Sequence, residues 1–379
     1  MNLSLSDEQV FLREAARGAL SRFKTLEAAR AALDGDGSAL PDLWPTAKEA
    51  GWPGLLIDES HGGAGLDAFD AMLVLGECGR VLAGIGLLGH LPASAILNEA
   101  PGGAPLLGDL ATGDRRAAYL PVSPPDDLEQ SWSVDPQGGL GRAPAPVAAS
   151  DGEQARVSGE LAFVPDAPGA DLLVGVALLD GKPVGVAVEA DAAGVAVETV
   201  SRYDVTRSLG HVSLKDAPAT TLDAPIESLA GAWHLSQALI AAESLGSVET
   251  ALDVSVAYAK ERHTFGRAIG SYQAVKHSLT EVLRQLENGR SLLYYAGWAR
   301  NGAPGEFSLA ASAARSVGGR ALDEAARTMI SVHGGIGATW EHDAPLYFRR
   351  AQLSRRLLGG TARATDRVAG ELIVQADAA

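Results

Sequence analysis

The hydrophobic period of this chain changes twice, and that order limits its fold more than any single motif does. Residues 1–117 and 226–379 carry apolar side chains at helical spacing, whereas residues 118–225 hold short valine-rich runs separated by Gly, Pro and Asp. The expectation is an α+β protein, mainly α, with an N-terminal helical domain at 1–117, a small β domain at 118–225 and a C-terminal helical bundle at 226–379. At 379 residues and 46% hydrophobic content, the chain exceeds one ordinary domain and can fill sizeable cores.

Local signals place the elements. Ser6-Asp7-Glu8-Gln9 is a capping box with Leu5 and Val10 placed as a hydrophobic staple, and it opens a helix through Phe11, Leu12, Ala15 and Ala19. A second helix is expected from Asp42 to Gly51; residues 54–65 then turn, and 67–100 return to helical period. Strands are expected at 155–163, 171–178, 183–189, 195–200 and 212–214. The Pro-, Gly-, Asp- and Ser-rich piece 122–152 reads as a surface loop. Past 226, a long run through Leu245, Val248, Leu252 and Val256 ends at Glu261, another spans 273–300, a third leads to His333, and two shorter ones follow.

Two patches interrupt the last helical third. Arg262-His263-Thr264-Phe265-Gly266 continues to Gln273, and His333-Gly334-Gly335-Ile336-Gly337 continues through Trp340-Glu341. An arginine beside a turn-forming Gly, with a second turn whose glycines let backbone N–H groups approach closely, can hold a pyrophosphate without a P-loop. Either patch alone also reads as an ordinary helix cap or turn. Together, in this order and with long helices between, they resemble the acyl-CoA dehydrogenase family, in which the equivalent segments reach across a subunit interface to a neighbour's FAD. The resemblance covers nearly the whole chain and implies the family's architecture, helices, then a β domain, then a four-helix bundle. It also implies FAD-binding roles for Arg262, Thr264, Phe265, Gln273, His333, Gly334, Gly335 and Gly337, with Lys276, His277 and Glu341 kept and Ser331 standing where a Gln is common. Tyr203-Asp204-Val205-Thr206-Arg207 is similar to the family's Asp-x-Thr-Arg element, read as keeping the β domain docked.

Desaturation of an acyl-CoA by a flavin removes one hydrogen as a proton and one as a hydride, so it needs a carboxylate facing the ring. Many family members place a Glu directly before a Gly-Thr; here Leu358-Gly359-Gly360-Thr361 puts Gly359, or Leu358 one residue earlier, in that seat. Another branch carries its Glu on the long helix, where this chain has Ser236, flanked by His234 and Gln237. Glu243 is the nearest acid, two turns on and about 10 Å along the axis. It is a candidate displaced base, or else an acid paired with an arginine of the bundle. The strand that lies against the ring in the family carries Phe163 where Trp is usual and Pro165 where a Thr would donate a hydrogen bond. The family's Thr-Glu-Pro segment is replaced by Leu120-Pro121-Val122-Ser123-Pro124-Pro125.

The resemblance therefore implies a partner chain in a heteromeric, FAD-dependent acyl-CoA dehydrogenase, a heterotetramer acting on a fatty acyl or steroid side-chain thioester. The partner would be a related subunit carrying the catalytic Glu, and electrons would pass to an electron-transfer flavoprotein. Alternatives stay open: an active homomeric acyl-CoA dehydrogenase, a related flavin oxidase or monooxygenase, or a flavin-free scaffold or acyl-CoA binding protein. A net charge of -16 argues against nucleic acid and anionic membrane surfaces. A single cysteine, Cys78, leaves no disulfide framework, and His333 and His342 read as structural rather than as metal ligands. With no leader pattern and no spanning apolar run, a cytoplasmic location is expected.

Overall fold

The computed structural model describes residues 4–33, 40–121, 145–151, 154–200 and 204–377. Residues 122–144, which include Ser123, Pro124 and Pro125, and Tyr203 lie outside the described residues.

The N-terminal helices are α1 (Asp7–Leu20), α2 (Thr25–Ala31), α3 (Trp44–Glu49), α4 (Ala68–Arg80), α5 (Leu87–Glu99) and α6 (Ala104–Thr112). The Ser6 capping box forms: Ser6 Oγ accepts the Gln9 N–H at 3.2 Å and Gln9 Oε1 accepts the Ser6 N–H at 3.1 Å. The long helical stretch expected at 67–100 is two helices, because Leu82 (φ 52°) and Gly86 (φ 79°) turn the chain between them. No helix among the described residues is long and apolar enough to cross a membrane.

Strands follow as β1 (Ala117–Leu120), β2 (Val147–Asp151), β3 (Gln154–Pro165), β4 (Leu172–Leu179), β5 (Lys182–Glu189), β6 (Val195–Thr199) and β7 (Leu209–Leu222). Strands β2, β3, β7, β5 and β4 each pair with two of the others, so the sheet closes on itself, with β1 added along β4 and β6 along β7. Two differences from the sequence reading have physical causes. Residues 147–151, expected as loop, pair with β3 from Val147↔Ser158 onward. β7 runs well past the expected 212–214, since polar residues such as Lys215, Thr220 and Thr221 hide its period while its backbone pairs with β3, β5 and β6.

The chain returns to helix in α7 (Ile226–Glu261), crosses a small hairpin of β8 (His263–Thr264) and β9 (Arg267–Ala268), and continues as α8 (Gln273–Gly302), α9 (Phe307–His333), α10 (Ala344–Ser354) and α11 (Gly360–Asp377). α9 packs on α7, α8, α10 and α11. The N-terminal helices share this bundle's core: Met72, Leu75, Leu245, Val248, Leu322 and Met329 belong to one buried cluster. The α4–α7 crossing is so tight that a Cβ on Gly79 or Gly246 would lie 1.9 Å from a backbone oxygen of the facing helix. A second cluster joins the strands to α5 and α6 through Ile96, Leu107, Val157, Leu161 and Val174.

Candidate functional site

Both patches form at helix ends. Arg262 leaves α7 with extended backbone while its N–H still bonds Tyr258 O at 2.8 Å. The hairpin then pairs His263 with Ala268 and Thr264 with Arg267. Its two turn residues, Phe265 (φ 52°) and Gly266 (φ 80°), are both left-handed, as a two-residue hairpin turn of the right twist requires. The hairpin is braced: Tyr272 Oη donates to Thr264 O at 3.0 Å, and the Arg267 guanidinium lies 4.0 Å from the Tyr272 ring centre. Phe265 at the tip is 92% exposed. Arg262 is exposed too, and its guanidinium has no hydrogen bond or ion pair among the described residues.

At the second patch α9 ends on His333, and Gly334 (φ 64°) opens a 3-10 turn, Gly334–Ala338. A Cβ on Gly334 or Gly335 would meet nothing within 4 Å, whereas one on Gly337 would lie 2.7 Å from Ile330 O. Gly334 and Gly335 thus keep backbone open to an approaching group, and Gly337 serves packing. Gly337→Ala is expected to lower stability by about 1–3 kcal/mol, while Gly335→Ala leaves it unchanged; thermal melts of the two variants would show the contrast. His333 is buried rather than presented outward: its Nδ1–H donates to Met329 O at 2.7 Å. Tyr258 stacks on it with centroids 4.3 Å apart, so the two patches meet. Beside the hairpin, an open cavity of about 670 Å³ is bordered by Thr264, Phe265 and Tyr272 on one side and by Arg327, Thr328 and Ser331 of α9 on the other. Gln273, the first residue of α8, is exposed beside the hairpin.

The two positions where a family base would stand also converge. Ser236 is fully buried and its hydroxyl donates back to Ala232 O at 2.9 Å. Next to it, Gln237 Nε2 donates to Leu358 O at 3.0 Å, which ties α7 to a run of three left-handed residues, Leu358 (φ 50°), Gly359 (φ 80°) and Gly360 (φ 71°). No carboxylate stands at either position. His234 is buried, and burial pushes its pKa down to about 3, so it is neutral.

Glu243 sits elsewhere, with both oxygens engaged. Oε1 accepts from Arg350 Nη1 at 2.6 Å and Oε2 from Arg207. Arg350 also donates through Nε to Asp204 at 2.8 Å and through Nη2 to Thr206 Oγ1 at 2.6 Å, and Arg207 reaches Ser354 Oγ at 3.2 Å. Burial alone would raise the Asp204 pKa, but Arg350 and Arg207 outweigh it and the value is lowered. The Asp-x-Thr-Arg element is thereby bolted to α7 and α10, and Glu243 has the interhelical pairing role.

On the strand side, Phe163 (φ 56°) spends its N–H on His211 Nδ1 at 3.3 Å and sets its ring edge-on to that histidine, centroids 4.8 Å apart. Pro165 has no N–H to give. This segment therefore does not fit a flavin ring as a donor strand, whereas Arg262 with the Gly334-Gly335 turn does fit a pyrophosphate.

Two residues of consequence escaped the sequence reading. Tyr258 lies one helical turn before Arg262, a spacing that marks it as a neighbour. Arg350 carries no such signal, because its carboxylate partners are 107 and 146 residues away in sequence.

Comparison with known proteins adds the following. The family model described as "Acyl-CoA dehydrogenase, C-terminal domain" matches residues 229–373, and that described as "Acyl-CoA dehydrogenase, N-terminal domain" matches residues 6–121. Acyl-CoA dehydrogenase FadE34 of Mycobacterium tuberculosis is 31% identical over 97% of the chain, which spans only 48% of that longer relative. Acyl-CoA dehydrogenase IpdE2 of the same organism is 30% identical, with 93% of each chain covered. Among solved structures, a variant of the Tcur3481–Tcur3483 steroid ACAD is similar with a TM-score of 0.86 and 28% identity, covering 99% of this chain and 100% of that one. The ChsE4–ChsE5 complex from Mycobacterium tuberculosis shares the fold, with a TM-score of 0.84, 24% identity and coverage of 98% and 99%.

Proposed function

Because the chain belongs to the acyl-CoA dehydrogenase family of oxidoreductases, we propose that it is the partner subunit of a heteromeric member, contributing to FAD binding more than to proton abstraction. The observation that carries this reading is an asymmetry within one chain. The segments that would serve a neighbour's flavin are open: Arg262 is exposed with no partner among the described residues, and Gly334 and Gly335 leave room. The positions that would serve the chain's own flavin are spent, with Ser236 and Gly359 in the base seats, the Phe163 amide bonded to His211, and Pro165 in the ring strand.

In this reading Arg262 holds the pyrophosphate by charge, the Gly334-Gly335 backbone approaches it, and Thr264, Phe265 and Gln273 border the adenosine side. FAD, when bound, supplies the hydride acceptor for α,β-desaturation of an acyl-CoA. The proton goes to a Glu of a related subunit, and an electron-transfer flavoprotein takes the electrons. A steroid side-chain thioester is the proposed substrate, supported by the likeness to the Tcur3481–Tcur3483 steroid ACAD.

Purification with visible spectroscopy tests this. The chain alone is expected to be colourless and to gain FAD only when co-expressed with a related chain that carries the Glu. Arg262→Ala is expected to strip most flavin from that complex. Stoichiometric FAD in the isolated chain, bleached by an acyl-CoA, would overturn the proposal.

A further inference from the structure

Three rings from three separate segments are in contact where the two patches meet: Tyr258 stacks on His333, and His342 lies tilted against it. The Tyr258 ring, near the end of α7, lies 4.3 Å from that of His333 at an interplanar angle of 29°, and the His342 ring, just before α10, lies 4.2 Å from that of His333 at 43°. Each of the three residues is held in place by a hydrogen bond of its own. Tyr258 O accepts the Arg262 N–H at 2.8 Å, so the residue carrying the guanidinium hangs from Tyr258. His333 is held by its own helix through Met329 O at 2.7 Å and directly precedes Gly334. His342 Nδ1 accepts the Ala344 N–H at 3.0 Å, and the neighbouring Asp343 is ion-paired with Arg30 of α2.

We propose that Tyr258 and His342 are positioning residues: they clamp His333 and so set the separation between the Arg262 guanidinium and the Gly334-Gly335 backbone. This rests on the reading of those patches as a flavin pyrophosphate site. The need for a clamp is physical. A Cβ on Gly334 or Gly335 would meet nothing within 4 Å and Arg262 is exposed, so ordering these segments on a ligand costs conformational entropy at each binding event. The ring contacts that join the α7 and α9 ends fix the backbone of both segments beforehand and so lower that cost, through packing that touches no ligand atom. The signature of such a role is dependence on ring shape and on Arg262, rather than on the Tyr258 hydroxyl.

The test is titration of FAD into the flavin-stripped complex of this chain with its co-expressed partner, followed by flavin fluorescence, with thermal melts of the same samples. Tyr258→Leu is expected to weaken FAD roughly tenfold, and His342→Leu to act in the same direction, with assembly retained. Tyr258→Phe, which keeps the stack, should bind like the parent. In an Arg262→Ala background, Tyr258→Leu should add little further loss, because its effect passes through Arg262. Unchanged affinity in Tyr258→Leu, or losses that simply add in the double variant, would overturn the clamp while leaving the flavin-site reading intact. Unchanged FAD binding in Arg262→Ala alone would overturn that reading, and the clamp with it.

Discussion

Arg350→Ala is expected to destabilise the protein by about 3–5 kcal/mol, because it removes one partner from a fully buried charge cluster and leaves the others behind. Arg350 is 1% exposed and uses three nitrogens at once: Nε on Asp204, Nη1 on Glu243 and Nη2 on Thr206. Truncation would strand Asp204 with only the Thr206 N–H and hydroxyl, and Glu243 with Arg207 alone. Arg350→Lys keeps the charge but not the fork, so it should recover only part of the loss. Urea unfolding monitored by circular dichroism reads the effect as a lower midpoint. An unfolding free energy within about 0.5 kcal/mol of the parent value would mean that the cluster is not intact in solution. The same experiment bears on catalysis. If Glu243 is structural, Glu243→Gln loses stability along with any activity of the complex; a base that merely happened to be buried would lose activity with the melting curve unmoved.

That cluster also shows where reading the chain as a sequence stops. The long helices, the Ser6 cap and most strands follow from local period and capping chemistry, which act within a few residues and are written in neighbouring side chains. The hairpin at 263–268 was likewise foreshadowed, since a Gly after Phe265 is a local turn signal. What local signals could not supply was pairing across distance. β1 is buried at all four residues and so shows no alternation, and it is not among the expected strands although it lies at the start of the expected β domain. β2 hides in a Pro- and Ser-rich stretch and is revealed only by its β3 partner. Glu243 could be a base or an ion-pair partner until Arg207 and Arg350 were placed beside it. His333 is similar: the resemblance implies a cofactor role for it, and the fold buries its ring against Tyr258 and His342 while Gly334 and Gly335 keep the outward position.

Asp166→Asn is expected to stabilise the protein above about pH 6 by roughly 1–3 kcal/mol, with the gain shrinking as the pH falls toward the ordinary Asp range. Asp166 follows β3 in a left-handed conformation (φ 61°), and its Oδ2 accepts the Gly89 N–H at 2.9 Å. Gly89 is the third residue of α5, whose own cap position is Gly86 and has no side chain, so the strand supplies the helix with a cap from outside. The surrounding charges are Arg207, Glu243 and Arg350. Asp204 and Glu243 are ion-paired with these guanidiniums, and Asp166 is the acid of the group without an ion-pair partner of its own among the described residues. Burial pushes its pKa up to about 6. The sign follows directly. Between the unfolded and folded pKa values the native state holds a proton that the unfolded chain has released, so this group's contribution to stability falls as the pH rises through that window and is lost above about 6. Asparagine keeps an oxygen for the Gly89 N–H without the buried charge. Urea midpoints for parent and variant at pH 5 and pH 8 isolate the effect, because all other titrations cancel in the difference. A variant less stable than the parent at pH 8 would show that the ionised cap on α5, favoured by the helix dipole, outweighs the burial of its charge.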